Sequence, residues 1–230
     1  MIADVAQAAN LNACSRALEI GPGTGQATRM LEPLVGYILA VESGANMAAF
    51  LRKNFPQAKL DIVVSKFENL KAPAQSFDLI YAAQSFHWIE PQTGLQKCAE
   101  LLKPAGSLAL FWNNKRELPE PLAQSLREIY DLHFPEEQDK KVGIKGVMNQ
   151  NPALELEQSG LFCQVERKEY PWEEEYKTGK YLKLLDTYSD HIILPKESRA
   201  ALFSDISALL NTNAGRIRIP YLTELYLARK

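Results

Sequence analysis

The chain has 230 residues, 46% of them hydrophobic, and a formal net charge of -2. That suffices for one large α/β domain with a filled core, and the lack of a basic excess weighs against a general nucleic-acid binder. Cys14, Cys98 and Cys163 are scattered and form no Cys-x-x-Cys pair, which suggests neither a disulfide framework nor a zinc site and reads as buried reduced thiols. In chain order, Ala17–Ile20 reads as a short strand and Gln26–Leu34 as a helix. Tyr37–Val41 is a second strand rich in β-formers, and Ala45–Phe55 a helix ended by Pro56. Strands follow at Leu60–Val64 and Phe77–Ala82, then a helix at Thr93–Leu102, closed by Lys103 and Pro104, and a fifth strand at Ser107–Trp112. Short apolar runs alternating with helical periodicity imply βαβ units and a parallel sheet covered on both faces. After Trp112 the texture changes: a polar loop over Asn113–Pro121, a helix over Pro121–His133 and a charged, solvated loop over Pro135–Lys141. Pro152–Ser159 reads as a helix stopped at Gly160, Gln164–Trp172 as a sixth strand, Tyr176–Tyr188 and Lys196–Leu210 as helices, and Tyr221–Ala228 as a last strand. The division expected is one domain over 1–230, with a ligand-binding core over about 1–112 and insertions over about 113–160 and 173–215. No apolar run is long enough to span a bilayer, and Asp4 falls early with no basic flank, so the expected location is cytoplasmic.

Gly21-Pro22-Gly23-Thr24-Gly25 joins the first strand to the first helix. Glycines there let the backbone turn sharply and approach a ligand, with the helix N-terminus aimed at the same spot. Glu42 ends the second strand, where a carboxylate accepts both hydroxyls of a ribose. Taken alone, the turn also suits a ligand-free strand–helix connection and Glu42 a solvated acid; together they favour a nucleoside cofactor. A dinucleotide turn wants its third glycine where Gln26 stands. Glu19, just before the turn, repels a pyrophosphate but suits the amino end of a methionine moiety. S-adenosylmethionine is thus preferred to a nicotinamide cofactor.

These residues resemble the class I S-adenosylmethionine-dependent methyltransferases, and the resemblance runs through most of the chain. Leu18–Gly25 is similar to the family's first motif and Val41–Met47 to its second. Ser65–Leu70 falls at the adenine contacts, Phe77–Ala83 at the fourth strand, and Leu101–Leu108 at the turn into the fifth. Ala83-Gln84-Ser85-Phe86-His87-Trp88 and the C-terminal Tyr221–Arg229 resemble a subgroup of small-molecule enzymes that includes trans-aconitate methyltransferase-like proteins. The resemblance implies a Rossmann-like fold with a mostly parallel seven-stranded sheet, helices on both faces and a helical insertion or cap. It implies Gly21, Gly23 and Gly25 at the methionine–ribose part, Glu19 near the amino end, Glu42 on the ribose, Met47, Phe67 and Glu68 beside the adenine, and Ala83 and Gln84 near the sulfonium. Two features depart from the family. Lys66 stands where an acid usually meets the adenine amino group, and a lysine cannot accept that bond. Only Met1–Arg16 precedes the first strand, which leaves either a more open site or a shortened chain.

Methyl transfer from a sulfonium asks the protein mainly to position the acceptor and exclude water. A hydroxyl acceptor needs a base within reach, whereas a carboxylate needs none. His87 is the one histidine inside a motif and the candidate base, with packing of the turn as its alternative; Gln84 is the second catalytic candidate. His133 and His191 read as structural. Asn113 and Arg116, after the fifth strand, are candidate acceptor contacts, Arg116 as a fork for a carboxylate. Arg216 and Arg218 share that ambiguity. Trp172, Tyr176, Tyr181 and Tyr188 read as core aromatics, with an acceptor pocket as the alternative; Glu173-Glu174-Glu175 reads as a solvated face. No metal is expected, and a homodimer is compatible with the insertions. The reading is methyl transfer to the carboxylate or hydroxyl of a small molecule. The competing readings are a silent cofactor-binding scaffold, a nicotinamide-dependent oxidoreductase and, against the net charge, an RNA methyltransferase.

Overall fold

The computed structural model describes residues 1–56, 59–133 and 151–230. Its strands are β1 (Arg16–Ile20), β2 (Tyr37–Glu42), β3 (Leu60–Val64), β4 (Phe77–Ala83), β5 (Leu102–Lys115), β6 (Cys163–Lys177) and β7 (Arg216–Arg229). They form one sheet in the order β3-β2-β1-β4-β5-β7-β6. The pairs β3–β2, β2–β1, β1–β4 and β4–β5 are parallel. β7 runs the other way along β5: the Lys230 amide donates to the Gly106 carbonyl and the Arg116 amide to that of Pro220. The helices are α1 (Ile2–Ala8), α2 (Gln26–Leu31), α3 (Ala45–Asn54), α4 (Pro91–Leu101), α5 (Leu122–His133), α6 (Pro152–Ser159), α7 (Thr178–Leu185), α8 (Ser189–Ile192) and α9 (Lys196–Thr212).

Local chemistry sets the helix ends. Pro91 opens α4, and the Glu90 carboxylate before it accepts the Gln92 and Thr93 amides. Asn151 caps α6 through the Leu154 amide, and Gly160 closes it at φ 64°.

The described residues divide into two compact units. The first comprises 1–112, 151–170 and 224–230. Its strands obey the period-two rule. Leu18, Ile20, Ile80, Ala82, Leu108 and Leu110 face one core, completed by Leu95 and Cys98 of α4 and Leu156 of α6. Ala17, Leu79, Tyr81, Ala109 and Phe111 face the other, completed by Val5 of α1 and Ala27 and Leu31 of α2. The second unit comprises 113–133 and 171–223. Leu126, Tyr181, Leu185, Leu202, Ile206 and Leu210 form its core with Ile217 and Ile219.

Several expectations change. β5 continues through Asn113-Asn114-Lys115, where a loop is expected, because Arg116 keeps pairing with Pro220. β6 and β7 are likewise longer than their apolar stretches, since solvent-facing strand residues carry no apolar signal. The expected helix over Tyr176–Tyr188 is α7 alone, because Tyr176 and Lys177 still belong to β6. α1 is an element the sequence reading leaves out, and the charged loop over Pro135–Lys141 lies outside the described residues. Cys98 is buried, but Cys14 and Cys163 are exposed, one in a loop and one opening the edge strand β6. Among the described residues no helix is long and apolar enough to cross a membrane.

Leu18 is fully buried, whereas Val63 on edge strand β3 is 37% exposed. Leu18→Ala is expected to cost about 2–5 kcal/mol of unfolding free energy in denaturant titrations, and Val63→Ala about 0.5 kcal/mol or less. Equal costs would contradict this division between core and edge.

Candidate functional site

The register aligns the last residues of four parallel strands. Ile20 pairs with Val41 and with Ala82, and Val41 with Val63. The loops that follow therefore leave from one end of the sheet, where the order turns from β2 on one side of β1 to β4 on the other. Ligands bind at such a reversal in open α/β sheets. A cleft of about 460 Å³ opens there, among Gly21, Gly23, Glu42, Met47, Phe67, Glu68 and Gln84 of the expected residues. Ser43, Ser65, Lys66, Ser85, Trp88 and Ile89 join them.

The glycine turn is held from several sides. The Gly21 amide donates to the Val41 carbonyl at 2.9 Å. Gly21 has φ +64°, and a Cβ there would come 2.6 Å from that of Ser85. Gly23 has φ +56°, and a Cβ there would meet nothing within 4 Å. Gly21 thus serves a close approach, Gly23 the left-handed backbone. Ser85 donates its hydroxyl to the Ile20 carbonyl, tying the end of β4 to that of β1. Ser85 lies inside the motif that follows the fourth strand, but the sequence reading gives it no role; its small size against Gly21 is the signal for one.

Glu42 is nearly buried. Its Oε1 accepts the Gly44 amide at 2.8 Å and its Oε2 the Gly23 amide at 3.2 Å. A carboxylate offers about four acceptor sites, so two amides fix its orientation and leave capacity for two further donors. Met47 is half exposed, Phe67 is buried, and Trp88 is 81% exposed at the cleft. The Lys66 side chain is exposed. Gln84 takes φ +57°, rare for a residue with a Cβ.

Glu19 does not line this cleft. It is 1% exposed, on the face of β1 opposite Leu18 and Ile20, and its Oε2 accepts the Thr28 hydroxyl at 2.6 Å and the Tyr81 hydroxyl at 2.9 Å. Among the described residues Oε1 is buried without a hydrogen-bond partner. Burial, and to a smaller degree the Glu42 charge, pushes the Glu19 carboxyl up to about 7 against the two hydroxyl bonds. Gly25 at φ +87° starts α2, and Ala83 ends β4; neither is in the cleft wall.

His87 also stands outside the cleft wall. Its Nδ1 accepts the Trp112 indole N–H at 3.2 Å, and burial lowers its pKa. A neutral ring with Nδ1 accepting carries its proton on Nε2 and is a donor there. In this geometry His87 Nδ1 is engaged with Trp112, in keeping with the packing alternative, and a base at His87 stays a proposal.

Asn113 and Arg116 belong to the second unit. Asn113 Oδ1 accepts the Thr223 hydroxyl at 2.6 Å, and Arg116 is exposed, its side chain lining a small cavity of that unit. Arg216 and Arg218 both pair with Glu175, and Lys180 with Glu174, so part of the acidic run is engaged. Of the expected core aromatics only Tyr181 is deeply buried; Trp172 is 39% exposed and stacks on Tyr221 at 4.5 Å. Among the described residues no group of three or more His, Cys, Asp or Glu side chains is placed to hold a metal ion.

Residues 18–110 match the family model described as a methyltransferase domain. An uncharacterized methyltransferase of Schizosaccharomyces pombe is 25% identical over 228 residues, 96% of this chain and 86% of the relative. An unconfirmed type II methyltransferase from Anaeromyxobacter dehalogenans shares the fold at a TM-score of 0.71 and 18% identity, covering 100% of this chain and 96% of the other. A phosphoethanolamine N-methyltransferase of Haemonchus contortus, solved with S-adenosylmethionine, aligns at a TM-score of 0.57 and 15% identity over 100% of this chain and 52% of its own. The fold is the Rossmann-like one of methyltransferases, and residues 18–110 match a methyltransferase domain.

Glu19 makes stability depend on pH. The unfolded chain releases the Glu19 proton near 4.5, the folded chain near about 7. Between these values the folded state binds more protons, so stability falls as pH rises from about 4.5 to about 7. Glu19→Gln removes that slope. Across the window the unfolding free energy of wild type is expected to drop by up to about 3 kcal/mol relative to the variant; a constant difference would contradict the buried, protonated carboxyl.

Proposed function

We propose that the chain transfers a methyl group from S-adenosylmethionine, held in the cleft at the ends of β1 to β4, to a carboxylate or hydroxyl oxygen of a small molecule. The Glu42 carboxylate carries this reading. Fixed by the Gly23 and Gly44 amides, it keeps acceptor capacity for a vicinal diol. Gly23 leaves room for close approach of the methionine–ribose part, and Met47 and Phe67 give a flat heterocycle an apolar wall. Lys66 has only donors, so Glu68 is the side chain beside the cleft suited to an adenine amino group.

When bound, the cofactor supplies an activated methyl on a cationic sulfur. The chain's own contribution is to orient and to exclude water. The Glu42 charge adds to the cost of ionising Glu19, and a cationic ligand beside the two carboxylates is favoured. Gln84, held at positive φ by its amide bond to the Phe111 carbonyl, presents its side chain at the cleft near the proposed sulfonium position. Asn113 and Arg116 are the proposed acceptor contacts. The net charge of -2 favours a small acceptor over a nucleic acid.

Calorimetric titration with S-adenosylmethionine and S-adenosylhomocysteine tests this. Wild type is expected to bind both, and Glu42→Ala to lose about 1–3 kcal/mol of binding free energy, the cost of leaving polar groups unpaired. Absence of binding by folded wild type, or an unchanged affinity in the variant, would contradict it.

A further inference from the structure

Two cations of the second unit meet at one small cavity. Lys115 ends β5, and Arg116 is the next residue in the chain. Both line a cavity of about 40 Å³ whose wall residues all belong to this unit. Leu118, Ala123, Leu126, Leu185 and Ile219 make most of that wall apolar. A few charged groups set in an apolar wall is the usual make-up of a small-molecule site. One water needs roughly 10–15 Å³ of such space, so the cavity takes one end of a ligand rather than its whole body.

The charges at this cavity are unevenly matched. Arg127 lines it too and is paired with Glu120. Lys115 and Arg116 have no such partner: among the described residues neither forms an ion pair, and neither does Glu117 beside them. Lys115 is half-buried, with its ammonium 4.4 Å from the centre of the Tyr188 ring. The ring face returns part of the lost hydration. It does not return all of it, because burial brings the Lys115 pKa down to about 8 even though the Asp190 charge opposes the fall. A partly buried ammonium without a paired anion is costly, and an anionic ligand offsets that cost. Arg116 is exposed, and its planar guanidinium offers a fork of donors that fits a carboxylate.

We propose that this cavity binds a monocarboxylate with an apolar tail, its carboxylate between Lys115 and Arg116 and its adjoining carbons against Leu118, Leu126 and Leu185. The site is complete within the second unit, so the inference goes beyond the cofactor reading and does not rest on it. Its selectivity follows from the wall. A neutral head group leaves the Lys115 ammonium uncompensated, and a cationic one is repelled. An anion without a tail leaves the leucines unused. A second carboxylate on the same ligand brings another charge to an apolar wall and to Glu117.

Calorimetric titration of the full chain with hexanoate, acetate, 1-hexanol and adipate tests this. Hexanoate is expected to bind wild type at least about tenfold more tightly than 1-hexanol, as a hydrogen bond to a charged group implies. Acetate is expected to bind about tenfold or more weakly than hexanoate, having lost the methylenes that meet the leucines. Adipate is expected to fall below hexanoate as well. Lys115→Met and Arg116→Gln are each expected to weaken hexanoate about fivefold or more, with thermal unfolding midpoints near wild type showing that both fold. The ligand series on wild type carries the test should a variant not fold. No hexanoate binding by folded wild type, equal binding of 1-hexanol, acetate or adipate, or unchanged affinity in both folded variants would each overturn the proposal. Binding of S-adenosylhomocysteine without hexanoate contradicts this inference and spares the cofactor assignment; hexanoate binding without S-adenosylhomocysteine does the reverse.

Discussion

β1 lies between two parallel neighbours, β2 on one side and β4 on the other. The chain leaves β1 through α2 to reach β2, and returns to the far side of β1 only at β4. The loops beyond these strands therefore diverge, and a space opens over the end of β1 that no backbone fills. Each cleft residue follows from that divergence. Gly21 turns away beneath Ser85, Glu42 reaches across from β2 to the Gly23 amide, and Gln84 closes the opposite side at a strained φ. The hydrogen bond from Ser85 to the Ile20 carbonyl fixes how far the two sides separate.

The same geometry places two carboxyl groups near the turn, Glu19 and Glu42. Glu19 is buried with two hydroxyl donors to one oxygen and none to the other, an arrangement that favours the protonated form in the folded chain. Nothing in packing requires a carboxyl on that face, where Ala17 and Leu79 are its apolar neighbours in the core. Retaining it costs stability at neutral pH. A cation bound near the turn offsets that cost, which links the folding energetics of β1 to the proposed ligand.

Much of the first unit was legible in the sequence because its signals are local. Ala17–Ile20, Phe77–Ala82 and Ser107–Trp112 are apolar runs covered on both faces, and the glycine turn follows a strand directly. Strand lengths were less legible. The outer parts of β5, β6 and β7 carry Asn, Glu and Arg, whose place is set by pairing with a neighbouring strand rather than by any pattern along the chain. Roles set by long-range contacts were not legible. His87 sits in a motif, yet its partner Trp112 is 25 residues away. His191 lies in no motif, and only the fold joins it to Tyr130, 61 residues away. Glu19 was legible as an acid beside the turn, but its burial on the opposite face follows from the parity of β1 and the position of Thr28 and Tyr81.

Amide hydrogen exchange with and without S-adenosylhomocysteine tests most directly whether this divergence of strands is the binding site. The account predicts slowed exchange in the segments following β1, β2 and β3, around Gly21–Gly25, Ser43–Met47 and Lys66–Glu68, with the opposite ends of the same strands unchanged. Unaltered exchange in those segments at saturating ligand, or protection confined to the other end of the sheet near Asp4 and Arg229, would contradict it.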